Sequence, residues 1–220
     1  MGILCIDAGG SFLKHTVLDE DLDVTEVSSV ATPRDNLDSF LHVIRSVYEM
    51  YQGISGIAIS IPGIIDVDRG FMYTGGSLDY IRDIPMKERI SELCDGLPVS
   101  IENDAKAAAT AELYAGVLKE AKNGIILTLG TAVGGTVIVD KKILRGTNLF
   151  AGEISYAIYQ DDGVRDDSWD IESNMWGCRS IPAQIVRAYG DAGLRCEEIF
   201  ERLANGDGLA DKAVRMGARE

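Results

Sequence analysis

The sequence predicts an α/β protein built on a duplicated core. The same pattern occurs at residues 2–19 and 124–140: an apolar strand, a glycine-rich turn and a second apolar strand that ends in Asp. Between the copies, apolar residues recur at three- and four-residue steps over 36–51, the spacing of a helix with one buried face. An apolar run at 56–61 is typical of a buried strand. These observations predict mixed sheets flanked by helices, in two lobes separated by a cleft.

The first lobe is predicted to alternate strands with helices. A third strand follows the two glycine-turn strands, and the run at 56–61 is ended by Pro62-Gly63. Residues 105–115 predict a strong helix because they are dense in alanine and are followed by Gly116. The predicted strands are 2–7, 12–18, 24–31, 56–61 and 98–102, and the predicted helices are 36–51, 86–94 and 105–115.

The second lobe begins where the strand–turn–strand pattern returns at residue 124. We place the boundary near residues 116–123, so that the lobes span 1–118 and 119–220. Acidic residues are frequent between 160 and 172 but lack calcium-loop spacing, so we expect a solvated loop there and no metal site. Helices are predicted at 181–189, 196–204 and 209–219.

Composition and charge exclude some classes of partner. The chain has 220 residues, of which 46% are hydrophobic and 25% charged, the usual balance for a globular protein. Its net charge of −14 disfavours duplex DNA and anionic membranes, which select basic surfaces. A nucleotide remains compatible with this charge, because backbone amides and a metal ion bind phosphates locally.

The cysteines and the N-terminal residues predict a reduced, cytoplasmic protein. No two of the four cysteines form a C-x-x-C pair, so we expect neither a disulfide framework nor a zinc cluster. The N-terminus lacks a basic segment, and Asp7 interrupts its apolar run, which is unlike a signal peptide. The longest uncharged stretch, 123–139, is rich in Gly and Thr and too short for a membrane span.

Glycine turns at strand ends predict a phosphate site. Such turns expose backbone N–H groups, and ligands of α/β sheets collect just beyond the strand ends. The first turn is not G-x-G-x-x-G, and no G-x-x-x-x-G-K-[ST] is present, so a dinucleotide fold and a Walker-type loop are disfavoured. Two ordinary hairpins with glycine turns remain the alternative interpretation.

Asp104 is the carboxylate best placed for chemistry, because it follows a predicted strand and opens a predicted helix. The helix N-terminus favours its ionised form by about 0.3–1 kcal/mol, and an ionised Asp accepts a proton from an attacking hydroxyl. The alternative is that Asn103 or Asp104 only caps the helix. Asp7 is a candidate for holding Mg²⁺ through water, Lys14 for a phosphate contact and Glu153 for binding sugar hydroxyls.

Together these motifs resemble those of the ROK family of sugar kinases, within the actin-like, ribonuclease H-like ATPase superfamily. Order and spacing agree from residue 2 to about 204. The resemblance implies an α/β, duplicated ribonuclease H-like fold with a cleft between two lobes. The matching stretches are Asp7-Ala8-Gly9-Gly10-Ser11, Ile61-Pro62-Gly63, Glu102-Asn103-Asp104-Ala105-Lys106-Ala107-Ala108-Ala109, Leu129-Gly130-Thr131-Ala132-Val133-Gly134-Gly135 and Phe150-Ala151-Gly152-Glu153.

The resemblance implies ATP- and Mg²⁺-dependent phosphorylation of a hydroxyl on a hexose or a related sugar or glycoside. Asp104 would be the general base, and Asp7 would serve Mg²⁺ through water. A sugar and ATP would be the partners, with no nucleic acid or membrane, and the resemblance also suggests a homodimer. The expected sugar contacts are Pro62, Gly63, Asn103, Glu153, Ser77 and Asp79. The expected ATP and phosphate contacts are Asp7, Gly9, Gly10, Ser11, Lys14, Gly130, Thr131, Gly134 and Gly135.

Three departures from the family pattern limit this implication. The substrate loop has Tyr156 where the family usually has a His that contacts sugar and zinc. Only Cys178 remains of the cysteine-rich zinc motif, so we expect no structural zinc. The chain also stops before the family's adenosine-contacting Gly-Gly turn and last helix, so we expect a truncated form or weak ATP binding.

A catalytically impaired or truncated sugar-binding homologue without kinase activity is therefore the second hypothesis. The family also includes repressors, which carry a DNA-binding helix-turn-helix before the first phosphate strand. This acidic chain begins at that strand, which disfavours a repressor.

Overall fold

The computed structural model describes residues 2–21, 23–129, 133–156 and 181–217. Contacts divide the chain into two compact units. The first unit combines Met1–Ala121 with Arg145–Ala151, and the second combines Lys122–Leu144 with Gly152–Glu220. Residues 145–151, which we expected in the second lobe, therefore belong to the first unit.

The first unit contains every strand and helix predicted for it, together with three short strands that were not predicted. Its helices are α1 (Leu37–Glu49), α2 (Met86–Leu93) and α3 (Asp104–Tyr114). Its strands are β1 (Gly2–Ala8), β2 (Phe12–Leu18), β3 (Ser28–Ala31), β4 (Ile54–Ile61), β5 (Ile65–Asp66), β6 (Phe71–Thr74), β7 (Arg82–Ile84) and β8 (Val99–Asn103).

The main sheet of the first unit has five strands in the order β3-β2-β1-β4-β8. Strands β1, β4 and β8 run parallel, whereas β2 and β3 are antiparallel to their neighbours, so the sheet is mixed as predicted. The parallel strands end at the same edge of the sheet. The turn after β1, the Pro62-Gly63 step after β4 and the start of α3 after β8 therefore lie along one edge.

One face of this sheet is apolar and packs against helices. Helix α1 begins at the cap residue Asn36, whose side-chain oxygen accepts a hydrogen bond from the backbone nitrogen of Ser39 at 2.9 Å. Its apolar stripe joins α2 and the sheet in one core. The largest fully buried side chains of this core include Leu4, Leu13, Phe40, Ile44, Ile61, Met86 and Ile90.

The opposite face carries small and polar side chains because successive residues of a strand point to opposite sides of the sheet. In β4, for example, Ile57, Ile59 and Ile61 are buried while Ala58 and Ser60 alternate with them and remain partly exposed. The residues of β1, β4 and β8 that share this second face are Cys5, Asp7, Ala58, Ser60, Ser100 and Glu102.

The three unpredicted strands form a small antiparallel sheet in the order β5-β6-β7. Its central strand pairs Met72 with Ile65 on one side and with Ile84 on the other, and all three side chains belong to the buried core. Strands of two to four residues are too short to show a reliable alternation in sequence. This sheet holds the loop at residues 75–81 beside the Pro62-Gly63 step.

The second unit repeats the beginning of the first. Strands β9 (Gly124–Leu129), β10 (Val133–Val139) and β11 (Lys142–Ile143) form an antiparallel sheet in the order β11-β10-β9. The order and pairing match those of β1, β2 and β3, which confirms the duplication predicted from the sequence.

Helices complete the described part of the second unit. A short 3₁₀ helix spans Ile154–Tyr156, and α4 (Ile181–Tyr189), α5 (Cys196–Ala204) and α6 (Gly208–Gly217) agree with the predicted helices. The three helices share a separate core of Ile185, Ile199, Ala210 and Ala213. The acidic segment at 160–172 lies outside the described residues.

Two further properties concern only the described residues. None of their helices is both long enough and apolar enough to cross a bilayer. Cys5, Cys94 and Cys196 are free thiols, and Cys178 lies outside the described ranges. Burial raises the pKa of the Cys5 and Cys94 thiols, so both favour the unreactive protonated form.

Replacing Phe40 by Ala should destabilise the first unit. Because Phe40 is fully buried, the truncation leaves a cavity and lowers the free energy of unfolding by about 3–5 kcal/mol. His42→Ala is the control, since His42 is exposed on the same helix and its loss should change stability by less than about 0.5 kcal/mol. Urea unfolding monitored by circular dichroism measures the stability of both variants. Equal unfolding midpoints would contradict the buried face assigned to α1.

Candidate active site

A row of polar side chains crosses the first-unit sheet. The strand register pairs Lys14 with Asp7, Asp7 with Ser60, and Ser60 with Glu102, so these side chains lie next to one another on the same face. The Ser60 hydroxyl donates a hydrogen bond to Asp7 Oδ1 at 2.6 Å. The row lines an open groove of about 420 Å³, whose floor includes the small side chain of Ala58.

At the junction of β8 and α3, Asn103 caps the helix, and the next residue, Asp104, is the candidate base. Asn103 is the helix cap, because its Oδ1 accepts a hydrogen bond from the backbone nitrogen of Lys106 at 3.1 Å. Its Nδ2 donates to the carbonyl oxygen of Gly63 at 3.1 Å, and the residue is only 4% exposed. Asp104 is the first residue of α3 and is not required for the cap.

The Asp104 carboxylate is exposed and only partly engaged. Its Oδ1 accepts a hydrogen bond from the backbone nitrogen of Ala105 at 2.9 Å, and no donor among the described residues reaches its other oxygen. Surrounding protein atoms partly desolvate the carboxyl and raise its pKa, and the negative charge of Asp7 raises it further. Because the residue is exposed, water screens part of this effect. The raised pKa makes Asp104 a better proton acceptor than an ordinary Asp.

Lys106 lies in the motif matched at this junction, but no role was assigned to it from the sequence. It lies in the first turn of α3, is 3% exposed, and its positive charge lowers the pKa of Asp104. A buried lysine is rare unless it has an electrostatic role. Its sequence signal was a single basic residue two positions after Asp104 in an otherwise alanine-rich helix.

The first glycine turn presents free amides. Thr32 holds the turn in place, because its hydroxyl donates to the carbonyl of Gly9 at 2.7 Å and its backbone nitrogen donates to the carbonyl of Ser11 at 3.0 Å. Within the described residues, the backbone N–H groups of Gly10 and Ser11 have no partner. A Cβ on Gly10 would lie 3.0 Å from the hydroxyl oxygen of Ser77, so Ser77, which we expected as a sugar contact, lies beside this turn.

The Pro62-Gly63 step requires glycine. Gly63 has φ +119°, and a Cβ there would lie 2.0 Å from the carbonyl oxygen of Thr74. The hydrogen bond from Asn103 fixes the Gly63 carbonyl at the edge of the sheet where Asp104 begins α3. The first unit therefore brings together eleven of the predicted site residues: Asp7, Gly9, Gly10, Ser11, Lys14, Pro62, Gly63, Ser77, Asp79, Asn103 and Asp104.

We expected Gly134 and Gly135 in a phosphate-binding turn, but the structure places them elsewhere. Both lie inside β10, where they pair with Thr128 and Leu127 of β9. A Cβ on Gly135 would lie 2.5 Å from the carbonyl oxygen of Gly152. The glycine is therefore explained by close packing of two backbone segments within the second unit.

The remaining predicted contacts lie in the second unit or outside the described residues. Glu153 belongs to the second unit and immediately precedes the 3₁₀ helix. Gly130, Thr131 and Cys178 lie outside the described residues.

Arg145 is a second residue that sequence reasoning missed. Its guanidinium donates two hydrogen bonds to the Glu102 carboxylate, from Nη1 to Oε1 at 3.0 Å and from Nη2 to Oε2 at 2.6 Å. The two residues are 43 positions apart, and nothing in the sequence marked Arg145 as a neighbour of β8.

The polar row suits Mg²⁺ only in combination with a phosphate ligand. Within the described residues, no three His, Cys, Asp or Glu side chains form a metal-binding cluster. Mg²⁺ usually keeps several waters and binds through one or two carboxylates together with substrate phosphates. Asp7, whose Oδ1 is held by Ser60, fits such a site as its single carboxylate.

Comparison with known proteins decides the family. The sequence profile of the ROK family matches residues 3–220. The chain belongs to the ROK family. A beta-glucoside kinase of Klebsiella pneumoniae is 32% identical over 217 residues, which cover 97% of this chain and 72% of that protein. A glucokinase of Streptomyces coelicolor is 33% identical over 231 residues, which cover 98% of this chain and 69% of that protein.

The fold of this ROK protein is also that of a solved relative. A ROK family glucokinase from Streptomyces griseus, in complex with glucose and AMPPNP, superposes with a TM-score of 0.78 at 24% identity. The match covers 100% of this chain and 76% of that one, and it confirms the predicted duplicated α/β fold. The chain spans between 50% and 74% of the length of the curated relatives it matches.

Replacing Gly63 by Ala should distort the candidate site. The new Cβ clashes with the Thr74 carbonyl and φ is unfavourable, so we expect a loss of at least about 3 kcal/mol in the free energy of unfolding. Gly53→Ala is the matched control, since Gly53 has φ +71° but no atom within 4 Å of an added Cβ. Its cost should be about 1–2 kcal/mol. Thermal unfolding compares the two, and a similar loss in both would mean that the contact with Thr74 carries no cost.

Proposed function

We propose that this ROK protein is an ATP-dependent kinase that phosphorylates a hydroxyl of a hexose or a related sugar or glycoside, with Asp104 as the general base. The observation that carries the proposal is the arrangement at the start of α3. Asn103 caps the helix, so the adjacent Asp104 keeps a carboxylate oxygen for substrate. The beta-glucoside kinase and glucokinase relatives support a sugar as the acceptor.

The chemistry assigned to Asp104 is a single proton transfer. As the sugar hydroxyl oxygen attacks the γ-phosphorus of ATP, the carboxylate accepts the hydroxyl proton, and the bond from the γ-phosphorus to the bridging oxygen of ADP breaks. Such a base contributes about 10²–10⁴ in rate when its geometry is correct. The raised pKa of Asp104 favours this role, since proton acceptors work best when their pKa approaches the working pH.

We assign the sugar to the edge of the sheet where Gly63, Asn103 and Asp104 meet. Pro62, Ser77, Asp79 and Glu153 are the further proposed contacts. Asn103 would act mainly by fixing this edge, because its side-chain oxygen and one amide hydrogen are already bonded within the protein.

The phosphates are assigned to the first glycine turn and to the residues of the second motif. The free amides of Gly10 and Ser11 suit phosphate oxygens, and Gly9 and Lys14 would complete this half of the site. When bound through Asp7, Mg²⁺ would neutralise charge on the phosphates. The proposed contacts from the second motif are Gly130 and Thr131. Because the proposed co-substrate is ATP, we expect the enzyme to act in the cytoplasm.

Asp104→Asn should abolish turnover without abolishing sugar binding. An amide cannot accept the hydroxyl proton, so we expect kcat to fall about 10²-fold or more. The measurement is coupled detection of ADP release over a panel that includes glucose and β-glucosides. Asp38→Asn on the exposed side of α1 is the control and should keep full activity.

Thermal stabilisation by the same sugars separates the alternatives. The proposal is supported if the wild-type protein turns over at least one sugar, and if Asp104→Asn loses this turnover while Asp38→Asn keeps it. Sugar-dependent stabilisation without turnover in the wild type would replace it by a non-catalytic sugar-binding function. Neither turnover nor stabilisation with any sugar would overturn both.

The pH dependence of kcat/KM should report the environment of Asp104. The base must be ionised, so activity falls as pH decreases through its pKa, and the acid limb should lie above the usual range for Asp. Lys106→Met removes a positive charge that lowers this pKa, so the acid limb should move to higher pH. Lys87→Met, an exposed lysine in the first turn of α2, makes the same change in net charge and should leave the limb in place. If the wild type, Lys106→Met and Lys87→Met have the same pH profile of kcat/KM, the assignment of the acid limb to Asp104 is contradicted.

A further inference from the structure

Glu102 connects Arg145 to the backbone at the candidate catalytic junction. Glu102 Oε1 accepts hydrogen bonds both from the backbone nitrogen of Asn103 at 2.9 Å and from Arg145 Nη1 at 3.0 Å. Its second oxygen accepts from Arg145 Nη2 at 2.6 Å. The carboxylate is therefore shared between the Arg145 guanidinium and the backbone N–H of Asn103, the residue that precedes Asp104.

The Glu102–Arg145 pair has the properties of a specific ion pair. It is bidentate, a geometry that fixes direction as well as distance. The side chains are only 21% and 29% exposed, so water screens their interaction less than that of a surface pair. Arg145 also opens the segment 145–151, which the contacts assign to the first unit although it follows β11 of the second. The pair therefore anchors this segment to β8.

Three hydrogen bonds hold Asn103 through its side chain and its backbone nitrogen. Its side-chain oxygen caps α3, its side-chain nitrogen bonds to Gly63, and its backbone nitrogen bonds to Glu102. The first two bonds depend on α3 and on the residue just after β4. The third depends on the orientation of Glu102, which Arg145 sets.

We propose that Arg145 is a positioning residue, which acts through Glu102 to hold the Glu102–Asn103 peptide, and with it the start of α3 at Asp104, in the orientation that phosphoryl transfer requires. The inference rests on the proposed kinase function and adds to it a residue outside the conserved-looking motifs of the sequence. Arg145 does not contact the reacting atoms in this account.

Loss of Arg145 should affect catalysis through geometry and charge. Without the guanidinium, Glu102 is left as an unpaired, half-buried carboxylate in the same polar row as Asp7. Such a group turns toward water when it is able to, because an uncompensated buried charge is costly. That rotation releases the Asn103 amide and lets Asp104 move, and displacements of about 1 Å in a catalytic group cost up to about 10²-fold in rate.

The test compares Arg145→Met with a matched arginine elsewhere in the first unit. The matched residue is Arg45. Like Arg145 it forms ion pairs and is partly buried: it pairs with Glu49 at 2.7 Å and Asp95 at 3.0 Å, and its side chain is 31% exposed. It lies on α1, away from the β8–α3 junction.

Glu102→Gln and the Arg145→Met/Glu102→Gln double variant complete the series, and Arg145→Lys tests whether charge without the bidentate geometry is sufficient. For each variant we would measure kcat, the KM values for sugar and ATP, and the melting temperature.

We expect Arg145→Met to lower kcat about 10-fold to 10²-fold and to leave the KM for ATP within about twofold. Arg45→Met should lower the melting temperature by a similar amount and leave kcat within about twofold. The double variant should be no slower than the slower single variant, because residues that act as one unit are not additive. Arg145→Lys should recover only part of the lost rate, since lysine does not form the two parallel hydrogen bonds.

Three results would overturn this inference. Arg145→Met could melt earlier yet keep its kcat, which would make the pair purely structural. Losses from the two single variants could multiply in the double variant, which would show that they act independently. Absence of both turnover and sugar-dependent stabilisation in the wild type would overturn the proposed function, and this inference with it, whereas the first two results leave the proposed function intact.

Discussion

The hydrogen bond between the Asn103 side chain and the first turn of α3 is the constraint on which the candidate site depends. A helix that starts directly after a strand leaves backbone N–H groups without partners, and an N-cap side chain supplies one. Asn103 provides this cap and at the same time holds the Gly63 carbonyl, so one side chain joins the ends of β4 and β8. Asp104 then occupies the next position, where only Oδ1 of its carboxylate bonds to a helix amide, that of Ala105. The structure therefore converts an ordinary capping requirement into a fixed position for a base.

The alternation of side chains in the parallel strands determines which groups accompany that base. Because one face of the sheet packs on α1 and α2, every second residue of β1, β4 and β8 is apolar and buried. The intervening residues face the other way, and the strand register places Asp7, Ser60 and Glu102 in line. Folding of the apolar core thus brings the members of the polar row together, and the hydrogen bond from Ser60 to Asp7 then joins two of them. The ion pair with Arg145 is then required to balance a carboxylate that the register places there.

Sequence reasoning found most of the fold and the central residue of the site because both have local signals. The period of α1, the alanine-rich α3 and the repeated glycine turns are readable within short windows. The position of Asp104 between a strand and a helix made it a candidate, and the family resemblance implied its role as the base. The small sheet around Met72 was missed because its strands are too short to show a period. Arg145 and Lys106 were missed for a different reason. Their roles depend on burial and on a partner distant in sequence, and neither residue type indicates these by itself. Gly135 shows the converse error, in which a glycine that allows close packing inside β10 has the same sequence signature as a glycine in a phosphate-binding turn.

The local charge balance of the site differs from that of the whole chain. The protein carries a net charge of −14, which by itself would repel a nucleotide. The β8–α3 junction and the polar row, taken together with Arg145, the partner of Glu102, nevertheless contain as many basic as acidic side chains, three of each. These six residues are Asp7, Glu102 and Asp104 on the acidic side and Lys14, Lys106 and Arg145 on the basic side. An anionic ligand at the glycine turn therefore meets a locally neutral site with free amides, and removal of any one of the three cations would leave this site negative. For this reason we expect Lys106 and Arg145 to contribute to nucleotide binding if the proposed kinase function holds.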